Sequence, residues 1–580
     1  MSPDAVQPPP TLANQYDTDR VLRSALHRLL PEDVHAAIEP GLRAMGERAG
    51  GDLYALQQED VRAEPTLTRW GPWGDRVDRI EVTRVWQRAE TVAAQDGVVA
   101  TAYEQTHGRH SRMHQMALAY LFIPSTDMYG CPLAMTDGAA RTLLDKGQDP
   151  LVETAVPHLT TRDPDAFWTS GQWMTEVSGG SDVSNTRTTA RRTDDGTWRL
   201  YGRKWFTSAV TANMALALAR PEGNPDGSEG LALFYVPVRE NDTLVEGLRV
   251  HRLKDKLGTR KLPTAELQLD GVEASPVTGE LRHGTRHIAP MLTVTRLWNA
   301  VTAAAYLRRG LALARDYGRK RTAFGKRLLD HPLHQETLAD LQARLEGMVH
   351  LSFRVAALLG RRETDQADSK DRASLRLLTP IAKLTTAKQA VAGTSEVIEA
   401  FGGAGYVEDT GLPPLHRDAQ VLPIWEGTTN VLALDLLRRV EAVEGLAPLS
   451  TEFEQCRTSV RDARLQRAAQ TAQEAFQHAA EWFRDARSKG PDALQAGARR
   501  FALTLGRALE LAYTAQHAQW SLHAEEDGRS AAAAERLAAQ PVDLIREHNA
   551  TGTPELARAE DRSSLFERYT SSSPEATEQT

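Results

Sequence analysis

"NTRTTARRTDDGTWRLYGRKWFTS", residues 185–208, alternates in side-chain character at period two on both sides of Asp195-Gly196. An Asp-Gly pair between alternating runs signals a hairpin, because glycine takes the positive φ that a tight turn demands. The alternation is too regular for a helix. "ANMALALAR" (212–220), "GLALFYVPV" (230–238) and "TAELQLDGV" (264–272) continue as short strands, so residues 169–285 are predicted to form a β domain.

Outward from this segment, both flanks change to helical spacing. "DRVLRSALHRLLPEDVHAAIEPGLRAMGERAG" (19–50) leads to a Gly-Gly stop at 50–51, and residues 16–168 read as a mainly helical N-terminal domain. Downstream, Leu297, Val301, Ala304, Leu307, Leu311 and Ala314 share one helical face. Two more amphipathic runs, 333–360 and 377–403, complete a second helical domain over 286–446, the last ending at the paired glycines. An Ala- and Gln-rich helical extension follows over 447–569. Residues 1–15 are predicted to be disordered and 570–580 to be a polar tail. The fold class is α+β, mainly helical: helices, a β-barrel-like middle domain, helices, and an extra helical domain.

A chain of 580 residues is too long for one core, and 41% apolar with 25% charged residues is ordinary for a soluble protein. Cys131 and Cys456 are too few for a disulfide framework or a cysteine metal site, so no metal is expected and a reducing cytoplasm suits the chain. The first residues lack an apolar signal core, and no run approaches a membrane span. A net charge of −8 gives no general attraction to nucleic acid.

Four stretches carry chemistry-bearing residues. "MTEVSGGSDVSNT" (174–186) joins a glycine pair to Thr175, Ser181 and Ser184; the plain alternative is a hairpin turn. "GRKWFTS" (202–208) sets Trp205 and Phe206 beside Thr207 and Ser208, suited to a flat heteroaromatic ligand or simply to strand packing. "YGRKRTAFGKR" (317–327) holds five basic residues before His331, enough to neutralise a pyrophosphate, though without Walker spacing; a solvated helix end is the plain reading. "VLPIWEGTTNVLALD" (421–435) puts Glu426 between an apolar run and a Gly-Thr-Thr turn. Buried without a cation, such an acid has a raised pKa and serves as a general base; a helix-start Glu is the structural alternative.

Taken together and in this order, the four stretches resemble the acyl-CoA dehydrogenase flavoproteins over about residues 100–440. "CPLAMT", "GQWMTEVSGGSDV", "HRLKDKLGTRK" and "SEVIEAFGGAGYVEDTGLPPLHRDA" followed by "IWEGTTNVLALDLLR" are similar to the alkylation-response, AidB-type branch, which also carries an extra C-terminal helical domain. The resemblance implies an FAD cofactor lined by Met174, Thr175 and Ser181. It implies Phe206 packed on the isoalloxazine beside Thr207 and Ser208, where most dehydrogenases have Trp and Thr. Arg321 and Phe324, with His331 at the familiar interval, match the pair that reaches a neighbouring subunit's FAD, and Gly402 and Gly403 match a close backbone approach to the cofactor. Thr428, Thr429 and Asn430 match the turn that holds the flavin's phosphates and ribityl chain. Glu399 departs from the common Gln, so it needs a cationic neighbour or faces elsewhere.

On the same basis Glu426 is the expected catalytic base, taking the α-proton of an acyl-CoA thioester while flavin N5 accepts the β-hydride. Thr295 and Arg296 match a pair near the substrate and base, and Trp425 is expected to form a pocket wall. The partners this implies are an acyl-CoA substrate, an electron-transfer flavoprotein, and copies of the chain in a homotetramer built as a dimer of dimers. An alternative is a DNA-associated, alkylation-protective flavoprotein with weak dehydrogenase activity. Residues 441–580 disfavour it, with 16 Lys and Arg against 22 Asp and Glu, although Arg484, Arg487, Lys489, Arg499, Arg500 and Arg507 form a small basic cluster. An acyl-CoA oxidase or nitroalkane oxidase on the same scaffold is a third reading; nitroalkane enzymes use Asp as base, which Glu426 weighs against.

Overall fold

The computed structural model describes residues 7–240, 243–546 and Ala557. Helix α1 (Arg20–Leu29) opens the N-terminal domain, with Asp19 accepting the Leu22 N–H as its N-cap. Helix α2 (Glu32–Gly50) stops at the predicted glycine pair. Helix α3 (Gly130–Lys146) is buried over most of its length, and its Gly138 allows an approach so close that a Cβ there would lie 2.7 Å from Met291.

One expectation for this region is corrected. Residues 7–15, expected to lack order, are tied down: the Thr11 N–H donates to Asp316 at 2.7 Å, the Gln15 N–H to the Gly46 carbonyl at 2.9 Å, and Leu12 packs on the core. The domain is mainly helical, as expected, with one element outside that pattern. An antiparallel hairpin, β1 (Thr66–Trp70) with β2 (Arg76–Glu81), packs Leu67 and Ile80 onto the core of the β domain. Its strands are short and polar on one face, too weak a periodic signal to stand out.

The middle domain is a seven-stranded sheet of β3 (Ser170–Trp173), β4 (Thr189–Arg192), β5 (Trp198–Ser208), β6 (Met214–Pro221), β7 (Ala232–Pro237), β8 (Leu248–Leu253) and β9 (Thr264–Pro276). β4 pairs with β5, β5 with β9, β9 with β7, β7 with β6, and β6 with β4, so five strands close on themselves as a small barrel. The quoted stretch is the β4–β5 hairpin, turning at Gly196 with φ +90°.

One irregularity in this barrel positions the site. Strict alternation along β5 from Leu200 through Lys204 would bury Phe206. Opposite it, β9 pairs Leu267 with Lys204 and Ala265 with Thr207, so Trp205 and Phe206 together face the single residue Glu266. This bulge reverses the phase: Thr207 turns into the core and Phe206 is left 53% exposed.

The second helical domain is built on α4 (Ala289–Lys320), buried along most of its length, with α5 (Pro332–Glu363), α6 (Ser369–Glu399) and α7 (Thr429–Ala442) around it. Between α4 and α5 a minimal hairpin, β10 (Thr322–Ala323) with β11 (Lys326–Arg327), turns at Phe324 and Gly325, both at positive φ. The paired glycines lie just beyond the end of α6, in a 3-10 turn, Gly402–Tyr406.

The extension contains a helix at Ala447–Ser459, then α8 (Ala463–Lys489), α9 (Pro491–Ala524) and α10 (Arg529–Ala539). Its apolar residues belong to the same continuous core as the N-terminal and central helices. The predicted tail, 570–580, lies outside the described residues. Among the described residues, no helix is long and apolar enough to cross a membrane.

At the contact of α9 with α5 and α6, Glu510 is 1% exposed; one carboxyl oxygen accepts from the Gln389 amide at 2.6 Å and the other has no partner among the described residues. Burial pushes this carboxyl up to about 8. The native state therefore holds a proton that the unfolded chain releases near its ordinary pKa, so this group's contribution to stability falls as pH rises from about 4.5 to about 8. Glu510→Gln keeps the Gln389 hydrogen bond and removes the titration. It should stabilise the protein by about 2 kcal/mol at pH 8, read as a thermal midpoint that exceeds the wild type at pH 8 and matches it at pH 4.5.

Candidate active site

The turn at 421–427 brings Glu426 into an uncommon conformation. Glu426 has φ +56° and the following Gly427 φ +101°, after which the Thr428 hydroxyl caps α7 by accepting the Val431 N–H. A left-handed glutamate costs about 1–2 kcal/mol unless its surroundings hold it. Four side chains do so. Thr295 donates to Glu426 Oε2 at 2.6 Å and Arg296 Nε to the Glu426 carbonyl at 3.2 Å. Lys383 Nζ donates to the Gly427 carbonyl at 2.7 Å, and Asn299 Nδ2 to the Leu422 carbonyl at 3.2 Å. Glu426 Oε1 has no partner among the described residues.

Thr295, Arg296 and Asn299 come from α4 and Lys383 from α6, so two buried helices grip the turn from behind. Arg296 also donates to Asp435 of α7 at 2.9 Å, which commits its guanidinium to structure on both sides. Burial lowers Arg296, with Asp435 opposing that shift. Lys383 is fully buried and makes no ion pair among the described residues; burial pushes it down to about 7, against the pull of Glu426. Trp425 is half-buried against the core, its Nε1–H lacking a partner among the described residues.

The β domain reaches the same space. Cys131 of α3 is buried, near Ser208 at the end of β5, and close enough to Glu426 to feel its charge; burial pushes the thiol up to about 12. Ser208 Oγ lies 3.3 Å from Thr264 Oγ1, which accepts from Lys256 Nζ at 3.0 Å. Lys256, also donating to the carbonyls of Thr259 and Leu262, is lowered by burial to about 8. Sequence reading did not find Cys131, Lys256 or Lys383, because each meets the site only through tertiary packing.

The 174–186 loop is fastened to the same end of β5. The Trp205 N–H donates to the Thr175 carbonyl at 3.0 Å, and Glu176 and Gly179 exchange backbone hydrogen bonds in a tight turn. Gly180 is required there, since a Cβ would fall 2.6 Å from the Thr175 hydroxyl. Beneath the loop the buried Glu176 pairs with Lys204 at 2.8 Å and accepts from Thr188 and the Arg187 N–H. Burial alone would raise Glu176, but Lys204 and these hydrogen bonds outweigh it and hold the carboxyl below its ordinary value. Met174 and Thr175 are half-buried, Ser181 is exposed, and Phe206 presents its ring at the surface near Lys254. Thr207 differs from its expected place: its hydroxyl points inward and donates to the Ala265 carbonyl at 2.7 Å.

Other expected residues lie apart from this turn. Arg321, Phe324 and His331 cluster at the β10–β11 hairpin, with Phe324 95% exposed and His331 Nε2 3.0 Å from the Ala323 carbonyl. Gly402 and Gly403 are exposed, and a Cβ at either would meet nothing within 4 Å. Glu399 is exposed and has no cationic partner among the described residues, so it faces elsewhere. Thr429 is buried, and Asn430 accepts a hydrogen bond from Arg499 of α9 at 3.0 Å. The basic cluster of the extension is thereby divided: Arg499 turns to Asn430, Lys489 pairs with Asp485, and Arg507 donates to the Pro541 carbonyl.

Four family models match the chain in succession. They are an adaptive response protein AidB N-terminal domain (residues 7–166), an acyl-CoA dehydrogenase middle domain (171–272), an acyl-CoA dehydrogenase C-terminal domain (282–441) and an acyl-CoA dehydrogenase 11 C-terminal domain-like segment (451–566). Acyl-CoA dehydrogenase family member 11 of Caenorhabditis elegans is 41% identical over 524 residues, covering 88% of this chain and 85% of that protein. The chain belongs to the acyl-CoA dehydrogenase family. Within it, the AidB-type N-terminal domain places the chain in the AidB-type branch. The putative acyl-CoA dehydrogenase AidB of Escherichia coli K12 is 32% identical over 396 residues, 67% of this chain and 71% of that one. The crystal structure of C. elegans ACDH-11 in complex with C11-CoA superimposes with a TM-score of 0.90 at 39% identity, covering 94% of both chains.

Proposed function

We propose that the protein is an FAD-dependent acyl-CoA dehydrogenase in which Glu426 removes the α-proton of an acyl-CoA thioester. The observation that carries this reading is the state of the Glu426 carboxylate. Oε2 is held by Thr295, the backbone on either side is fixed by Arg296 and Lys383, and Oε1 is left free to take a proton. A carboxylate with one oxygen anchored and one open is oriented for proton abstraction at a fixed point. The acyl-CoA complex of the ACDH-11 relative supports the substrate class.

FAD is the cofactor the family uses, and the residues at hand fit it: Phe206 offers an uncovered ring, and Gly402 and Gly403 leave open space for close backbone approach. Bound FAD would supply the acceptor for the β-hydride. Phe206 and the Thr175–Ser181 loop would hold the ring system, while Thr428 and Asn430 at the start of α7 would hold the phosphate and ribityl portion. Within this arrangement Lys383 and Arg296 orient Glu426, and Trp425 and Cys131 keep water from the base. The exposed Phe324, on the two-residue turn of the β10–β11 hairpin, supports a role for Arg321, Phe324 and His331 at a second copy's cofactor, which accords with a homotetramer.

Anaerobic addition of a panel of acyl-CoAs to the purified protein tests the reading. Loss of the oxidised flavin absorbance with at least one chain length is expected, and no bleaching by any of them would end it. Peroxide release on admitting air would assign an oxidase rather than a dehydrogenase serving an electron-transfer flavoprotein. The bond from Arg499 to Asn430 adds a further expectation. Arg499→Ala should raise the FAD dissociation constant by roughly tenfold, the worth of a charge-assisted hydrogen bond near a phosphate. Calorimetric titration of the apoprotein with FAD checks it.

A further inference from the structure

A cavity of about 310 Å³ lies away from the Glu426 turn, where the start of α1 meets α4, α5 and α10 of the extension. Five arginines line it: Arg20, Arg308, Arg315, Arg529 and Arg536. Only two carboxylates, Asp19 and Glu346, share the lining, and both are committed. Asp19 caps α1, accepts from the Tyr120 hydroxyl at 2.9 Å, and pairs with Arg308 at 3.0 Å. Glu346 pairs with Arg20 and accepts from Ser530 at 2.8 Å. Arg529 and Arg536 are paired outside the lining, with Asp527 and with Glu336 and Asp340.

Two features of this ring are unbalanced. Arg315 makes no ion pair among the described residues; its hydrogen bond is to the Gln342 side-chain oxygen, at 2.7 Å. Arg308 is 7% exposed and its Nη1 is buried without a partner among the described residues, while Nε and Nη2 are occupied by Asp19 and Thr18. A buried guanidinium N–H left unmade costs the full desolvation of that group, and an unpaired cation beside four others adds repulsion. A tetrahedral oxyanion relieves both, because its oxygens accept from the free Nη1 of Arg308 and from the Arg315 guanidinium at once.

We propose that this cavity binds a phosphate group, as the free ion or as a small phosphomonoester, between Arg308 and Arg315. Occupancy joins α1, α4, α5 and α10, and so fastens the extension to the catalytic body. The proposal is independent of the dehydrogenase reading, since no residue in it touches the Glu426 turn.

Titration calorimetry of the full-length, FAD-loaded protein with inorganic phosphate at constant ionic strength is the test, with adenosine 3′,5′-bisphosphate in a second arm. Wild type should bind phosphate, and Arg315→Gln should weaken the constant by roughly tenfold. Arg308→Lys, which keeps the charge and the Asp19 pair but loses the fork, should weaken it severalfold. Unchanged thermal midpoints without phosphate establish that the variants fold. A tungstate soak should give anomalous density between Arg308 and Arg315, which the Arg315→Gln crystal lacks. Tighter, Arg315-dependent binding of the bisphosphate would assign a nucleotide source, and equal binding the free ion. No phosphate binding by wild type, an affinity indifferent to both substitutions, or tungstate found only elsewhere would overturn the proposal.

Discussion

Glu426→Gln is expected to purify with its FAD and to bleach with acyl-CoA more slowly by a factor on the order of 10²–10⁴, the contribution of a positioned general base. The amide has the shape of the carboxylate, and its oxygen accepts the Thr295 hydrogen bond that holds Oε2 at 2.6 Å. Arg296 and Lys383 grip the backbone carbonyls of residues 426 and 427, which the substitution does not alter. Turn geometry and cofactor pocket are therefore retained, and only the capacity to take a proton at Oε1 is lost. Rapid mixing under anaerobic conditions separates the two. A yellow variant that bleaches at the wild-type rate would mean that another group is the base, whereas a colourless variant would mean that residue 426 acts structurally. Lys383→Met offers a companion measurement, since removing the donor to Gly427 should loosen the left-handed turn and slow bleaching without discolouring the protein.

Mild acid should selectively weaken the junction of the extension with the N-terminal helix. His350 of α5 and His517 of α9 lie 4.3 Å apart by ring centroids, both nearly fully buried, and each has a ring nitrogen without a partner among the described residues. Burial drives His517 down to about 3 and His350 well below its ordinary value, helped by the nearby cations Arg28 and Arg20, with Asp527 opposing at His517. On the α1 side His517 Nε2 meets the Ser24 hydroxyl at 3.0 Å, and Ser24 donates to Glu525. Both rings are thus neutral in the native state. The unfolded chain takes up protons near pH 6.5 and the native chain does not, so stability is lost as pH falls from about 6.5 toward about 3. For His517 alone the full window is worth up to roughly 4 kcal/mol. His517→Gln should remove that dependence: the difference in thermal midpoint between variant and wild type should move in the variant's favour from pH 7 to pH 4. A difference that stays constant over this range would show that the pair does not control acid stability.

Most of the architecture is legible in the sequence because its signals are local. The Asp195-Gly196 turn, the short alternating strands and the three-and-four spacing of α4 each depend on residues within a turn or two of one another. The hairpin β1–β2 is the counterexample: its packing partner is the β domain far along the chain, and its own alternation is weak. The candidate site divides in the same way. The left-handed placement of Glu426 fits the glycine that follows it, but the grip of Lys383 on that turn joins residues 44 apart.

The amino-acid sequence by itself determined the order of helical and β segments and the family whose motifs these residues match, because hydrophobic periodicity and motif order are properties of the chain. Only the tertiary structure decided which way those residues look. A bulge against Glu266 turns Phe206 outward and Thr207 inward, and neither strand contains that phase change alone. Packing brings Cys131 toward Glu426, Arg499 to Asn430, and five arginines around one cavity. These pairings are set by how helices and sheet close on a common core, which no local stretch encodes.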